Sequence, residues 1–382
     1  MRTNGEADEG FGPVADEFAR NFTERGELGA AVAVFVDGRK VVDLWGGTAD
    51  DRTGRPWEAD TPVPVMSSGK GIVSISALVL AQEGRLDLDA PMAAYWPEFA
   101  RHGKERITTR MVLANTAGIP LVERKLTFQE LTAWEPVIRA LEEQPPLYEP
   151  GTAYEYHAHV FGFAVGEVIR RITGLTPGAY FRTTIGDALG LGTWIGVPQE
   201  EVPRLARLVE GEGRGPLPDA DLLPIRAVTM NGALVFPGVD DPHGWNSPAL
   251  LTAEFPGAGA VSTARGLATL YAAAATGVDG APRLLAADTV TDAVTERSGG
   301  ASWSGFPDLG ARWGTGFLVD CPFRRTLGPR SFGNDGAGGA QFAFGDDEFG
   351  VGFAYTANRM GARGDERTER LVAAVRGCVG AG

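Results

Sequence analysis

The spacing of apolar and polar positions changes period several times along the chain, and each change marks an element. Asp16 to Arg25 alternates as a short amphipathic helix, after which LGAAVAVFVDGRKVVDLWGG carries two apolar runs joined by Asp37-Gly38. An Asp-Gly pair between apolar runs supplies the positive φ angles of a tight hairpin turn, so the chain opens with antiparallel strands. From Met66 the period becomes helical. Ile72, Ile75, Val79 and Gln82 recur by threes and fours, and Gly84 stands where a left-handed glycine ends a helix.

Between about 85 and 250, helical stretches mix with irregular Pro-rich ones such as EQPPLYEPGT and EGEGRGPLPDADLLP, which read as long surface connections. A helix over Thr263 to Thr276 then gives way to alternating runs, RWGTGFLVD, AQFAFGD and FGVGFAYTAN, before a last helix in DERTERLVAAVRGCV. Strands at both ends with helices between predict an α+β fold, an antiparallel sheet flanked by helices plus a mostly helical subdomain. On this reading, 1–84 and 255–382 build the sheet domain and 85–254 the helical subdomain of a single unit.

Composition narrows the function classes. A formal charge of −14 over 382 residues repels phosphate backbones and anionic lipid, which sets nucleic-acid and membrane partners aside. Cys321 and Cys378, the two cysteines, are far apart and form no CxxC, so neither a disulfide framework nor a thiolate zinc site is expected. The acidic start lacks a signal-peptide profile, and no run of some 18 apolar residues occurs, so a cytoplasmic location is the expectation. Among four histidines, His157 and His159 form an HxH that no HExxH or carboxylate spacing completes, so neither a metal nor another cofactor is expected.

Candidate chemistry begins with lysine. There are four lysines, Lys40, Lys70, Lys104 and Lys125, against 31 arginines, and lysine alone of the two can be deprotonated in a protein. Ser67 and Lys70 lie three apart on a predicted helix start, which puts a hydroxyl beside a possible base on one face. Burial and the positive end of the helix dipole both lower a lysine pKa toward neutrality. Taken alone, the spacing also suits an ordinary helix start.

The longer stretch PVMSSGKGIVSISALVLAQEGRLDLDAPMAAYWPEF resembles the nucleophile region of the β-lactamase-like serine hydrolases, which include penicillin-binding proteins, carboxylesterases and acyltransferases. ITTRMVLANTAGIP, PPLYEPGTAYEYHAHVFGFAVGEVIRRITG, NSPALLTAEFPGAGAVSTARGLATLY and FGNDGAGGAQFAF continue the likeness over nearly the whole chain. The resemblance implies a β-lactamase/penicillin-binding-protein-like fold, Ser67 as nucleophile, Lys70 as base, and Tyr156 as the tyrosine that relays protons. It also implies that Asn334, Asp335 and Gly336 hold the places of the third motif, with the backbone amides of Ser67 and Ala337 as the oxyanion hole.

Two departures stand out. The tyrosine motif reads Tyr156-His157-Ala158 where an asparagine commonly stands, and the third motif lacks the usual lysine or histidine. A neutral Asn334 and an anionic Asp335 are poor company for a β-lactam carboxylate, so weak or absent β-lactamase activity is expected, and Asp335 is a candidate partner for a cationic acceptor. His157, Trp245 and Trp313 are further candidates for substrate binding, with Trp303 and Phe306 as possible walls of an apolar acyl pocket. The expected activity is cleavage of a small-molecule ester or amide through an acyl-enzyme. Transfer of that acyl group to an amine or alcohol is the alternative, and a non-catalytic binding scaffold is a third reading.

Overall fold

The structure is a computed structural model and describes residues 3–211, 219–362 and 364–380. The stretch EGEGRGPLPDADLLP therefore falls partly outside the described residues. Its centre is an antiparallel sheet drawn from both ends of the sequence. Strands β1 (Asn4–Ala7), β2 (Gly29–Val36) and β3 (Arg39–Asp50) come from the front. The rest are β4 (Ser298–Gly299), β5 (Arg312–Trp313), β6 (Leu318–Val319), β7 (Ser331–Gly336), β8 (Gln341–Asp346) and β9 (Val351–Ala357). Their order is β1-β3-β2-β9-β8-β7-β6-β5-β4, with Arg55–Pro56 pairing beside β3. The Asp37-Gly38 turn has φ of 50° and 74°, as the β2–β3 hairpin requires.

Strand alternation sorts the core into two layers. Ala30, Val32, Val34, Phe344, Phe353 and Tyr355 pack with Val14 and Phe18 of helix α1 (Gly12–Glu24), and with Leu371, Val372 and Val375 of the C-terminal helix Arg367–Val379. On the opposite face the strands present mainly small residues, Ala31, Ala33, Ala343 and Ala354, which lie in one cluster with Leu267, Ala268 and Ala272 of the helix Ala264–Ala275. That helix sits close enough that a Cβ on Gly352 of β9 would lie 2.5 Å from the Ala268 carbonyl.

Helix α2 (Lys70–Gln82) differs from the one-faced helix that its spacing predicts. Every residue from Lys70 to Leu80 is buried, because the helix runs through the interior between the sheet side and helix α3 (Val160–Thr173). Gly84 takes the expected left-handed conformation just beyond it, at φ 70°. A small second sheet, which the sequence pattern does not reveal, joins Val63–Pro64, Ala260–Ser262 and Thr193–Ile195. It fixes the approach to α2, since Val65 N–H donates to the Ala260 carbonyl at 2.9 Å. No described helix is long and apolar enough to cross a membrane.

Candidate active site

Ser67 lies in the short 3₁₀ turn Met66–Gly69 that feeds α2, just ahead of the α-helix rather than within it. Met66 enters this turn at φ 46°, a left-handed conformation that costs a side-chain-bearing residue energy and recurs at functional sites. Lys70 from the adjoining turn and two segments distant in sequence meet the serine. Lys70 Nζ is 3.2 Å from Ser67 Oγ, and the Tyr156 hydroxyl is 2.9 Å from the same oxygen. The edge of β7 closes the third side: a Cβ on Gly336 would stand 2.5 Å from the Val65 carbonyl and 2.9 Å from the Ser68 nitrogen, so only glycine fits there. The next residue, Ala337, turns the chain at φ 55° beside the serine.

Lys70 is fully buried. Its Nζ contacts the Ala158 carbonyl at 2.7 Å and the Gly257 carbonyl at 3.0 Å. A neutral amine has two N–H groups and one lone pair, so these two carbonyls take the hydrogens and leave the lone pair for the Ser67 hydroxyl. Burial drives the Lys70 pKa down to about 7, against an opposing pull from the Asp335 charge. The Gly257 carbonyl reaches the lysine because Gly162 of α3 lets the Pro256 backbone lie against the helix; a Cβ there would be 1.6 Å from the Pro256 carbonyl oxygen.

Tyr156 sits in the extended stretch before α3, its ring 5.5 Å from that of Trp313. Burial raises its pKa well above the usual phenol value, so it is a neutral hydroxyl in the resting site. Asn115 holds this stretch on both sides of the tyrosine. Its backbone carbonyl accepts the Glu155 N–H at 3.1 Å and its Oδ1 accepts the His157 N–H at 3.0 Å. Asn115 was not singled out by spacing, although it lies within the ITTRMVLANTAGIP stretch.

A cavity of about 700 Å³ opens over the serine, lined among others by Ser67, Tyr154, Glu155, Tyr156, Trp313 and Asp335. Gly336 and Ala337 also line it, but three expected binding residues do not. Trp245 is a core side chain, 2% exposed, with its indole N–H donated to the Val235 carbonyl and its ring against Phe255 and His159. His157 is buried behind Tyr156 with Nδ1 2.7 Å from the Glu155 carbonyl, and burial lowers its pKa to about 4, which keeps it neutral. Asn334 points to the far side of β7, where its amide donates to the Gly316 carbonyl at 3.1 Å. The reason is alternation: within one strand, Asn334 and Asp335 must face opposite ways. His159 is likewise internal, against the Val228 carbonyl.

Asp335 does face the cavity, but a cation with no signal in the sequence already meets it. Arg324 Nη2 lies 3.0 Å from its carboxylate, and the guanidinium stacks over Phe342 at 5.5 Å. The carboxylate is thus compensated rather than free for a cationic acceptor. A second cavity of about 640 Å³, around Arg52, Arg207 and Asp240, holds none of the expected site residues.

Residues 15–376 match the Beta-lactamase family model. Esterase/beta-lactamase LipL of Mycobacterium tuberculosis is 33% identical over 373 residues, covering 94% of this chain and 83% of that protein. A family VIII carboxylesterase of known crystal structure superposes with a TM-score of 0.87 at 33% identity, covering 99% of this chain and all of that one. EstA from Arthrobacter nitroguajacolicus Rue61a gives 0.86 at 32% identity, covering 100% of this chain and 99% of its own. With a match over nearly its whole length and a fold shared at this level, the chain belongs to the beta-lactamase family and is one of its serine hydrolases.

Proposed function

We propose that the enzyme cleaves a small-molecule ester through an acyl-enzyme on Ser67. The observation that carries this reading is the convergence of Lys70 Nζ and the Tyr156 hydroxyl on a single oxygen, Ser67 Oγ. Lys70, with a pKa near 7, takes the serine proton as Oγ attacks the carbonyl. The amides of Ser67 and Ala337 receive the developing oxyanion. Collapse of the tetrahedral intermediate breaks the ester bond, and Tyr156 gives its proton to the departing alkoxide. The tyrosinate, now beside a charged lysine, draws a proton from the incoming water. When the acid leaves, Ser67 recovers its hydrogen from Lys70, so every proton is returned.

An alcohol or amine in place of that water would make the same cycle an acyl transfer. A pure binding scaffold has no use for a buried lysine with its pKa brought down to about 7 beside a serine, which argues against the third reading. The test is intact mass after brief exposure to p-nitrophenyl esters, with nitrophenol release followed in parallel and amines added as competing acceptors. An acyl adduct present in the wild type and absent from Ser67→Ala supports the covalent route. Turnover that survives Ser67→Ala would refute it, and amide product would assign the transfer reaction.

A further inference from the structure

The walls of the Ser67 cavity come disproportionately from one segment. Residues 300–311, the connection between β4 and β5, supply Gly300, Ser302, Phe306, Pro307, Leu309 and Ala311. Among the described residues six large hydrophobic side chains are exposed. Three of them belong to this strap, Trp303 at 47%, Phe306 at 41% and Leu309 at 63%, and a fourth, Phe323, lines the same cavity. Half of the exposed large apolar side chains therefore lie on 12 residues at the mouth of the catalytic cavity. Scattered exposure of this kind needs no explanation, but clustering beside a nucleophile marks a binding surface.

The strap is held where it is. Trp303 N–H donates to the Tyr154 carbonyl at 2.7 Å, and Ser304 N–H donates to the buried Glu155 carboxylate at 2.8 Å. The Trp303 ring packs 5.1 Å from Tyr148. Both hydrogen bonds end within two residues of Tyr156, so the strap's backbone is anchored relative to the reacting oxygen before any ligand arrives, and less ordering entropy is lost on binding. The charged lining is acidic, with Glu155, Asp335, Asp365, Glu366 and Glu369 against Arg324 alone, which disfavours an anionic tail.

We propose that residues 300–311 are a recognition strap for an extended apolar group on the ester, with Phe306 and Leu309 as its principal contacts. The inference rests on the Ser67 hydrolase reading and adds the substrate class to it. A methylene gains about fourfold in binding when fully buried and about twofold when half-buried, the case for side chains as open as these. Two ester series test it, each kept below micelle-forming concentrations. p-Nitrophenyl esters from acetate to octanoate probe the acyl side, and alkyl acetates from methyl to octyl probe the alcohol side.

In one series kcat/KM should climb about twofold per methylene, or about 16-fold over four of them. The double variant Phe306→Ser/Leu309→Ser should reduce that long-to-short ratio at least about fivefold. Both positions are exposed, so folding is retained, and circular dichroism checks it. Flat series on both sides, or an equal ratio in wild type and variant, would overturn the strap while leaving the hydrolase intact. Absence of Ser67-dependent turnover with every ester would instead remove the hydrolase reading and the strap with it.

Discussion

Asp335 should hold the acid limb of the activity at higher pH than burial of Lys70 alone would, and Asp335→Asn isolates the effect. Lys70 acts as a base only when neutral, so kcat/KM should fall as pH drops through its pKa of about 7. The nearby carboxylate favours the charged lysine and therefore raises that pKa against the effect of burial. Removing the charge should move the acid limb to lower pH. A neighbouring unit charge worth about 1 kcal/mol corresponds to about 0.7 of a pH unit. Arg324, left without its partner 3.0 Å away, pushes in the same direction. The assay is initial-rate kcat/KM for a neutral p-nitrophenyl ester from roughly pH 5 to 9, fitted for the midpoint rather than the height of the profile. Arg324→Met gives the control of opposite sign, because an uncompensated Asp335 should raise the midpoint. A midpoint unmoved in both variants, or moved up in Asp335→Asn, would refute Lys70 as the base that feels this pair.

Three other outcomes follow from the geometry. Asn115→Ala removes the acceptor for the His157 N–H and frees one side of the tyrosine stretch, so kcat should fall about tenfold or more with KM little changed, as measured by steady-state kinetics. Gly336→Ala drives a methyl group into the Val65 carbonyl and the serine turn, and should lower acyl-adduct formation by more than about 100-fold in a mass-spectrometric time course. Trp245→Ala should cost about 3–5 kcal/mol in denaturant unfolding without altering the ranking of ester substrates, whereas Trp313→Ala, at the cavity wall beside Tyr156, should alter that ranking.

The parts of the site legible in the sequence are those whose chemistry is tied to a local spacing. Ser67 and Lys70 are three residues apart across a continuous 3₁₀-to-α helix start, so their meeting follows from that local spacing, and Asp37-Gly38 dictates its own turn. The resemblance to a known family supplied Tyr156, Gly336 and Ala337, which no local rule could bring to residue 67. What failed was direction. Asn334 and Asp335 are neighbours on a strand, and nothing in FGNDGAGG says which of them faces the cavity. His157 and Trp245 are typical pocket residues by composition, yet burial turned both inward. Arg324 is one of 31 arginines, and only the folded chain singles it out. The full burial of α2 hid behind a periodic pattern, because Ser74 and Ser76, polar in sequence, satisfy themselves by donating to the Lys70 and Ile72 carbonyls of their own helix.

The interleaving of early and late strands has a consequence for how the molecule is made. β2 pairs with β9, some 320 residues further on, and the Ala337 turn cannot be present until most of the chain has left the ribosome. At about 5–20 residues per second, the β2–β3 hairpin waits roughly 15–60 seconds for its central partner. During that interval AVAVF, buried on both faces in the finished sheet, has one edge and both faces unprotected. Expression yield should therefore depend on temperature and chaperone supply more steeply than the stability of the mature enzyme would suggest. Synonymous changes that slow translation between residues 50 and 330 should cost soluble protein without altering a single contact of the native state.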